Sequence, residues 1–239
     1  RTERTIQMTD NYPETYTKSS YNIIAETEEY TVVAEYTPLY RRQTAYQSES
    51  DLEKEFIRQL EEQGYEYLRI KNEGALIQNL RVQIEKLNSI QFSDGEWERF
   101  FSQIIANKNA GIKEKTRIIQ EDSVQVLIRD DGSTKNITLI DKKNIHNNYL
   151  QVINQYEEES GNFKNRYDVT ILVNGFPLVH CELKRRGVPL KEAFNQINRY
   201  QRDSFWAASG LLQYVQIFVI SNGTNTKYYS NSTRHNAIK

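Results

Sequence analysis

Residues 168–184, DVTILVNGFPLVHCELK, decide the fold. Asp168–Val173 is a strand rich in branched residues, Asn174-Gly175 is a strong hairpin dipeptide, and Leu178–Lys184 is the returning strand. Alternation with a period of two puts His180, Glu182 and Lys184 on one face and Val179, Cys181 and Leu183 on the other. Whether Asp168 joins the acidic face depends on register, because residues paired across an antiparallel ladder share a face. A plain two-residue Asn-Gly turn sets Asp168 opposite Cys181, on the wrong face. A three-residue connection, Asn174–Phe176, or an equivalent bulged turn sets it opposite Glu182, and this second arrangement is expected.

Two carboxylates and an ammonium brought together have a chemical use. Acids about 4–6 Å apart raise each other's pKa unless a cation lies between them. A hard divalent cation such as Mg²⁺ prefers carboxylate oxygens, polarises a phosphoryl oxygen and acidifies a bound water. Lys184 then holds that water or neutralises charge on phosphorus. An isolated Glu-x-Lys is ordinarily a cross-strand pair on a solvated face, so its surroundings must support the stronger reading.

The residues that follow do so. Lys184-Arg185-Arg186-Gly187 leads through Pro189 into a helix over Leu190–Phe205, with Leu190, Phe194 and Ile197 as the packing face. Residues 184–202 carry Lys184, Arg185, Arg186, Lys191, Arg199 and Arg202 against the single acid Glu192, a local patch suited to a phosphodiester backbone. Tyr214–Ser221 (YVQIFVIS) reads as a strand buried on both sides, and Lys227–Ser230 as another after Asn222-Gly223. The helix between Lys184 and Tyr214 permits a right-handed parallel crossover.

Working outward to the N-terminus, Tyr149–Tyr156 reads as a strand. A hairpin is expected from Val124–Arg129 and Ile137–Ile140, joined by Asp-Asp-Gly-Ser at 130–133. Residues 73–107 read as two or three helices, with stripes at Leu76, Leu80, Ile84 and Leu87 and at Trp97, Phe100, Phe101, Ile104 and Ile105. A helix is expected over Ser50–Gln63, with Ser50 as N-cap, Leu52, Phe56 and Leu60 centring the buried stripe, Ile57 on its flank, and Gly64 as the stop. Glu53 falls inside the apolar stripe: it either closes a capping box with Ser50 or aims inward at a site. Tyr30–Tyr36 reads as a short strand, and residues 1–29 as an extended or poorly ordered arm. The order is then αβββαβ, an α/β fold with a mixed central sheet flanked by helices.

Composition narrows the classes. The 239 residues are 38% hydrophobic and 26% charged, with net charge −1, which suits one well-buried core and no uniformly basic coat. No apolar run reaches membrane-span length and no signal peptide is visible. One cysteine, Cys181, excludes an internal disulfide and fits a reducing cytoplasm; with three scattered histidines it does not make a zinc site. There is no G-x-S-x-G elbow and no G-x-x-x-x-G-K-[ST] phosphate loop. Arg1 at the start and Met8 as the sole methionine suggest a piece of a longer protein.

Asp168, then Glu182-Leu-Lys184 after thirteen intervening residues, then Gln196-x-x-x-Tyr200, resembles the PD-(D/E)XK nuclease superfamily. Within it the chain looks like the N-terminal nuclease domain of type I restriction enzyme R subunits, with a likeness over roughly residues 30–239 that includes VVAEYTP, SDLEKEFIRQLEEQGYEYL, LNSIQFSDGEWERFF and FVISNGTNTKYY. The resemblance implies Asp168 and Glu182 as Mg²⁺-binding carboxylates (Mn²⁺ as a substitute), Lys184 as catalytic lysine, and Glu53 as a third acid on the first core helix. It implies that Gln196 and Tyr200 position DNA or the lysine, with Arg185, Arg186 and Arg199 on the backbone. Tyr167 stands where the superfamily name has proline.

The family also implies a domain at 30–239 with an insertion near 73–148, acting on double-stranded unmodified DNA. Its ATP-driven helicase or translocase domains lie outside this chain, and its partners are modification and specificity subunits. Two alternatives stand beside this: a non-catalytic DNA-binding or docking module on the same fold, and a nuclease of another PD-(D/E)XK branch.

Overall fold

The structure is a computed structural model that describes residues 20–26, 32–37, 48–158, 165–203 and 208–231. Six strands make its central sheet: β3 (Glu66–Leu68), β6 (Leu150–Glu158), β7 (Asn165–Val173), β8 (Phe176–Leu183), β9 (Ile217–Ser221) and β10 (Thr226–Ser230). Two further strands, β1 (Ser20–Glu26) and β2 (Val32–Thr37), extend it, so the spatial order is β1-β2-β10-β9-β8-β7-β6-β3. The β6-β7-β8 meander is antiparallel, whereas β8–β9 and β3–β6 are parallel. This is the expected α/β architecture with a mixed sheet. Most of the expected arm, including residues 1–19, lies outside the described residues, and β1 falls within it.

Helix α1 (Glu49–Glu62) packs on one face of the sheet, where Ile57 and Leu60 join Val152, Val169, Cys181 and Leu183. On the other face lie α2 (Glu73–Asn88), α3 (Asp94–Phe100, continued by a π turn to Ile105), α4 (Ile112–Gln120) and α5 (Leu190–Asp203). Alternate residues feed the two clusters: Val152 faces α1, and Ile153 faces the larger core. A separate hairpin, β4 (Val124–Ile128) with β5 (Thr134–Thr138), turns through Gly132 at φ +82°.

Several expectations need correcting. The N-cap of α1 is Ser48, not Ser50, and Asp51 closes the capping box, so Glu53 takes no part in it. The packing face of α5 is Ala193, Ile197 and Tyr200, at 0%, 0% and 1% exposure; Phe194 sits on the flank, 5.5 Å from the Tyr229 ring. The second hairpin strand begins at Thr134 rather than Ile137. Tyr214 belongs to a 3₁₀ turn over Leu211–Tyr214, and β9 starts at an exposed Ile217, so that strand is not buried on both sides throughout. Helix α4 and strand β3 add to the expected elements: α4 is nine residues with a glycine cap, and β3 is only three residues long.

Candidate active site

The register of β7 on β8 places the acids. Asn174 (φ +50°) and Gly175 (φ +82°) form a two-residue turn that pairs Val173 with Phe176. Taken alone that turn would send Asp168 to the Cys181 position. Between Ile171↔Val179 and Leu172↔Pro177, however, β8 carries one extra residue, Leu178. This β-bulge moves the register by one and sets Asp168 level with Glu182, as a bulged turn requires. Pro177 has no N–H for the ladder, and the Leu178 carbonyl instead accepts from Gln216 N at 2.8 Å.

Past the pair Val169↔Cys181 the strands part, and the Asp168 carboxylate takes over: its Oδ2 accepts from Leu183 N at 2.8 Å. Asp168 is also the residue of β7 that pairs with nothing on β6. Burial, then the neighbouring Glu182, pushes its carboxyl up to about 7. Glu182 is fully buried; Lys184 Nζ donates to its Oε1 at 3.1 Å, and His180 Nε2 lies 3.4 Å from its Oε2. The Lys184 side chain is largely covered. Thus Asp168, Glu182 and Lys184 come together, with Glu182 at the back and Lys184 beyond the end of β8.

Asp168 opens onto a cleft of about 300 Å³ with Glu49, Ser50, Glu53, Gln155 and Arg166. Glu53, nearly buried, aims inward here: Asn154 Nδ2 donates to its Oε1 at 2.5 Å and Gln155 Nε2 donates to its Oε2. Asn154 is in turn held by Tyr67 OH at 2.8 Å and by Lys71 Nζ, which donates to its carbonyl at 2.6 Å.

Gln196 and Tyr200 meet each other, the Gln196 amide donating to the Tyr200 hydroxyl, which donates onward to the Arg166 carbonyl at 2.7 Å. Tyr200 is 1% exposed and packs edge-on to Tyr167 at 4.6 Å. Its reach to the site therefore runs through β7, two residues from Asp168. Arg185 and Arg186 are exposed, and Arg185 N donates to Glu49 Oε1 at 3.2 Å, which ties the basic stretch to the start of α1. Arg199 is exposed on α5, its guanidinium 5.5 Å from the Tyr200 ring centre. The Arg202 side chain lies outside the described residues.

Sequence reasoning missed Asn154, Gln155 and a second cationic group, exposed Arg69, Lys71 and Arg166, whose charges act on one another near Glu53. They come from β6, β7 and the loop after β3, so no local pattern links them. Cys181 is fully buried, and its thiol is pushed up to about 12 by burial and by Asp168 and Glu182, which keeps it protonated and unreactive.

The donor set suits a hard cation. Glu182 Oε2 is buried without a hydrogen bond, and Asp168 sits beside it. Among the described residues no group of three or more His, Cys, Asp or Glu side chains is placed to hold a metal ion together. A cation that keeps several waters is bound through one or two carboxylates.

The sequence model described as "Type I restriction enzyme R protein N terminus" matches residues 46–237. The Type I restriction enzyme EcoprrI endonuclease subunit of Escherichia coli is 48% identical over 212 residues, covering 88% of this chain and 67% of that protein. The SsaAORF53P endonuclease subunit of Staphylococcus saprophyticus is 41% identical over 192 residues, 78% of this chain and 20% of that protein. The SauMSSORF170P endonuclease subunit of Staphylococcus aureus is 42% identical over 193 residues, 79% of this chain and again 20% of that protein. The chain thus spans two thirds of the first relative and a fifth of the other two. The match takes in α1, the whole β6-β7-β8 meander and α5, the elements that carry the candidate residues, and the chain belongs to the family of type I restriction enzyme R protein N termini.

Proposed function

We propose that this domain is the DNA-cutting part of a type I restriction R subunit, a Mg²⁺-dependent endonuclease of PD-(D/E)XK type that hydrolyses phosphodiester bonds of unmodified DNA. The observation that carries it is the convergence of Asp168, Glu182 and Lys184 across a bulged hairpin, with Asp168 held at about 7 by burial and Glu182. Two acids kept together out of water at this cost suit a site completed by a cation.

Asp168 and Glu182 would hold the cation, and Glu53 on α1 would face it from the same cleft as Asp168. A bound divalent ion supplies Lewis-acid polarisation of the phosphoryl group and lowers the pKa of water. Lys184, kept close by Glu182, presents its remaining N–H donors to a phosphate oxygen or a water and offsets the growing negative charge. Arg185 and Arg186, tied to the start of α1 through Glu49, and Arg69, Lys71 and Arg166, grouped near Glu53, would take the flanking phosphates. Contacts of this kind place the duplex without reading its sequence.

The remaining parts of the reading belong to the longer protein: ATP-driven translocase domains, modification and specificity subunits, and a cytoplasmic setting. No described helix is long and apolar enough to cross a membrane. The test is Lys184→Ala and Glu182→Gln in the full-length subunit within its complex. Double-strand cutting should fall at least 100-fold while ATP-driven DNA movement persists, a loss on the scale of removing a charge-stabilising donor. Cutting that survives both changes would remove the assignment.

A further inference from the structure

The ladder between β6 and β7 is regular except at one rung. Pairing runs Leu150↔Val173 through Asn154↔Val169 and resumes at Tyr156↔Tyr167, skipping Gln155 and Asp168. At the skipped rung Gln155 takes φ +51°. Left-handed backbone is uncommon for any residue with a side chain, and Asn, Asp and Gly are the usual occupants. A glutamine there, inside a strand, is held by its surroundings, and such outliers gather where a site needs a particular geometry.

The side chain shows what that geometry serves. Both oxygens of Glu53 are engaged by adjacent amides of β6, Oε1 by Asn154 and Oε2 by Gln155. In a regular strand, neighbouring side chains point to opposite faces and cannot grip one carboxylate. The left-handed turn at Gln155 removes that alternation. It also leaves Asp168 unpaired on β6, free to open into the same cleft and to accept from Leu183 N.

The geometry points to Gln155 as a positioning residue: its left-handed backbone frees Asp168 from the β6 ladder, and its amide, with that of Asn154, fixes Glu53 as the third acid of the site. This rests on the reading of Asp168 and Glu182 as a divalent-cation seat. Each Glu53 oxygen accepts one amide hydrogen and keeps lone-pair capacity for a cation or its water. In this role Gln155 acts through Glu53.

The experiment is Mn²⁺ titration of the full-length subunit by calorimetry, with cutting measured against Mg²⁺ concentration and thermal melting as a check on folding. Gln155→Gly keeps the left-handed turn and deletes the amide. Gln155→Met keeps side-chain length and deletes only the donor. Both should weaken Mn²⁺ binding about tenfold and raise the Mg²⁺ needed for half-maximal cutting by a similar factor, the lower end of what loss of a supporting hydrogen bond does to a metal site. Adding either Gln155 change to Glu53→Gln should cause no further loss, because Gln155 acts only through Glu53. Wild-type Mn²⁺ affinity in both variants, or losses that multiply with Glu53→Gln, would overturn the inference. Asp168→Asn separates the two levels: if it abolishes binding while the Gln155 variants do not, only the role of Gln155 fails. If Asp168→Asn also binds as wild type, the cation seat itself is gone.

Discussion

Asp168 accepts the main-chain N–H of Leu183 at 2.8 Å, at the point where β7 and β8 stop pairing. One carboxylate therefore serves as a strand clamp and as an acid of the cleft. Its neutral form is favoured by burial and by Glu182.

That gives a sign to the pH dependence. The Asp168 carboxyl rises from an ordinary 3.8 to about 7 in the fold, so between those values the folded protein holds a proton that the unfolded chain has lost. Stability without divalent cation should then fall as pH rises from about 4 to about 7. Asp168→Asn keeps an oxygen for Leu183 N and carries no charge. Its melting temperature at pH 8 without metal should exceed that of the wild type by several degrees, the gap closing below pH 4, while cutting is lost. Melting curves at pH 4 and pH 8 check this.

Gly175→Ala should be among the most damaging single changes. A Cβ at Gly175 would lie 2.6 Å from Leu80 Cα, main chain of α2, and the residue sits at φ +82°. Neither the main-chain clash nor the backbone strain can be relieved by a side-chain rotation. A loss of roughly 3 kcal/mol is expected in denaturant unfolding, with cutting reduced through the shifted hairpin register.

The start of α1 separates two serines. Ser48→Ala removes an acceptor for Asp51 N at 3.1 Å and should cost about 1 kcal/mol. Ser50→Ala should change stability by less than about 0.5 kcal/mol, since Ser50 caps nothing. Equal losses from the two, measured by urea unfolding, would move the cap.

Lys115 is buried at 1% exposure on α4, donates to the Gly210 carbonyl at 2.8 Å, and has its Nζ 5.4 Å from the Tyr214 ring centre. Burial lowers its ammonium to about 8. The unfolded chain holds that proton up to an ordinary 10.5, so the penalty is full below about 8 and fades as pH rises toward 10. Lys115→Met, which fills the same space, should raise stability at pH 7 by on the order of 2 kcal/mol and by much less at pH 10. An unchanged melting temperature at pH 7 would show that the carbonyl and the ring already offset the burial.

Much of this was legible before folding because it is local. Alternation along Leu178–Lys184 put Glu182 and Lys184 on one face, Asn174-Gly175 announced a turn that needs two positive φ angles, and the wheel of α1 placed Glu53 among apolar residues. These are short-range steric and periodic facts, and one strand or helix is enough to state them.

What the tertiary structure decided is where such elements meet. The bulge at Leu178 changed the parity of the hairpin, and with it whether Asp168 faced Glu182, because one unpaired residue moves every later side chain to the opposite face. A two-residue shift of the cap from Ser50 to Ser48 released Glu53 from the helix end. The left-handed Gln155 carried no local signal at all. Glutamine has no intrinsic preference for that backbone, and the acceptor its amide meets there is Glu53 on α1, about a hundred residues away in the chain, which an isolated strand would lack.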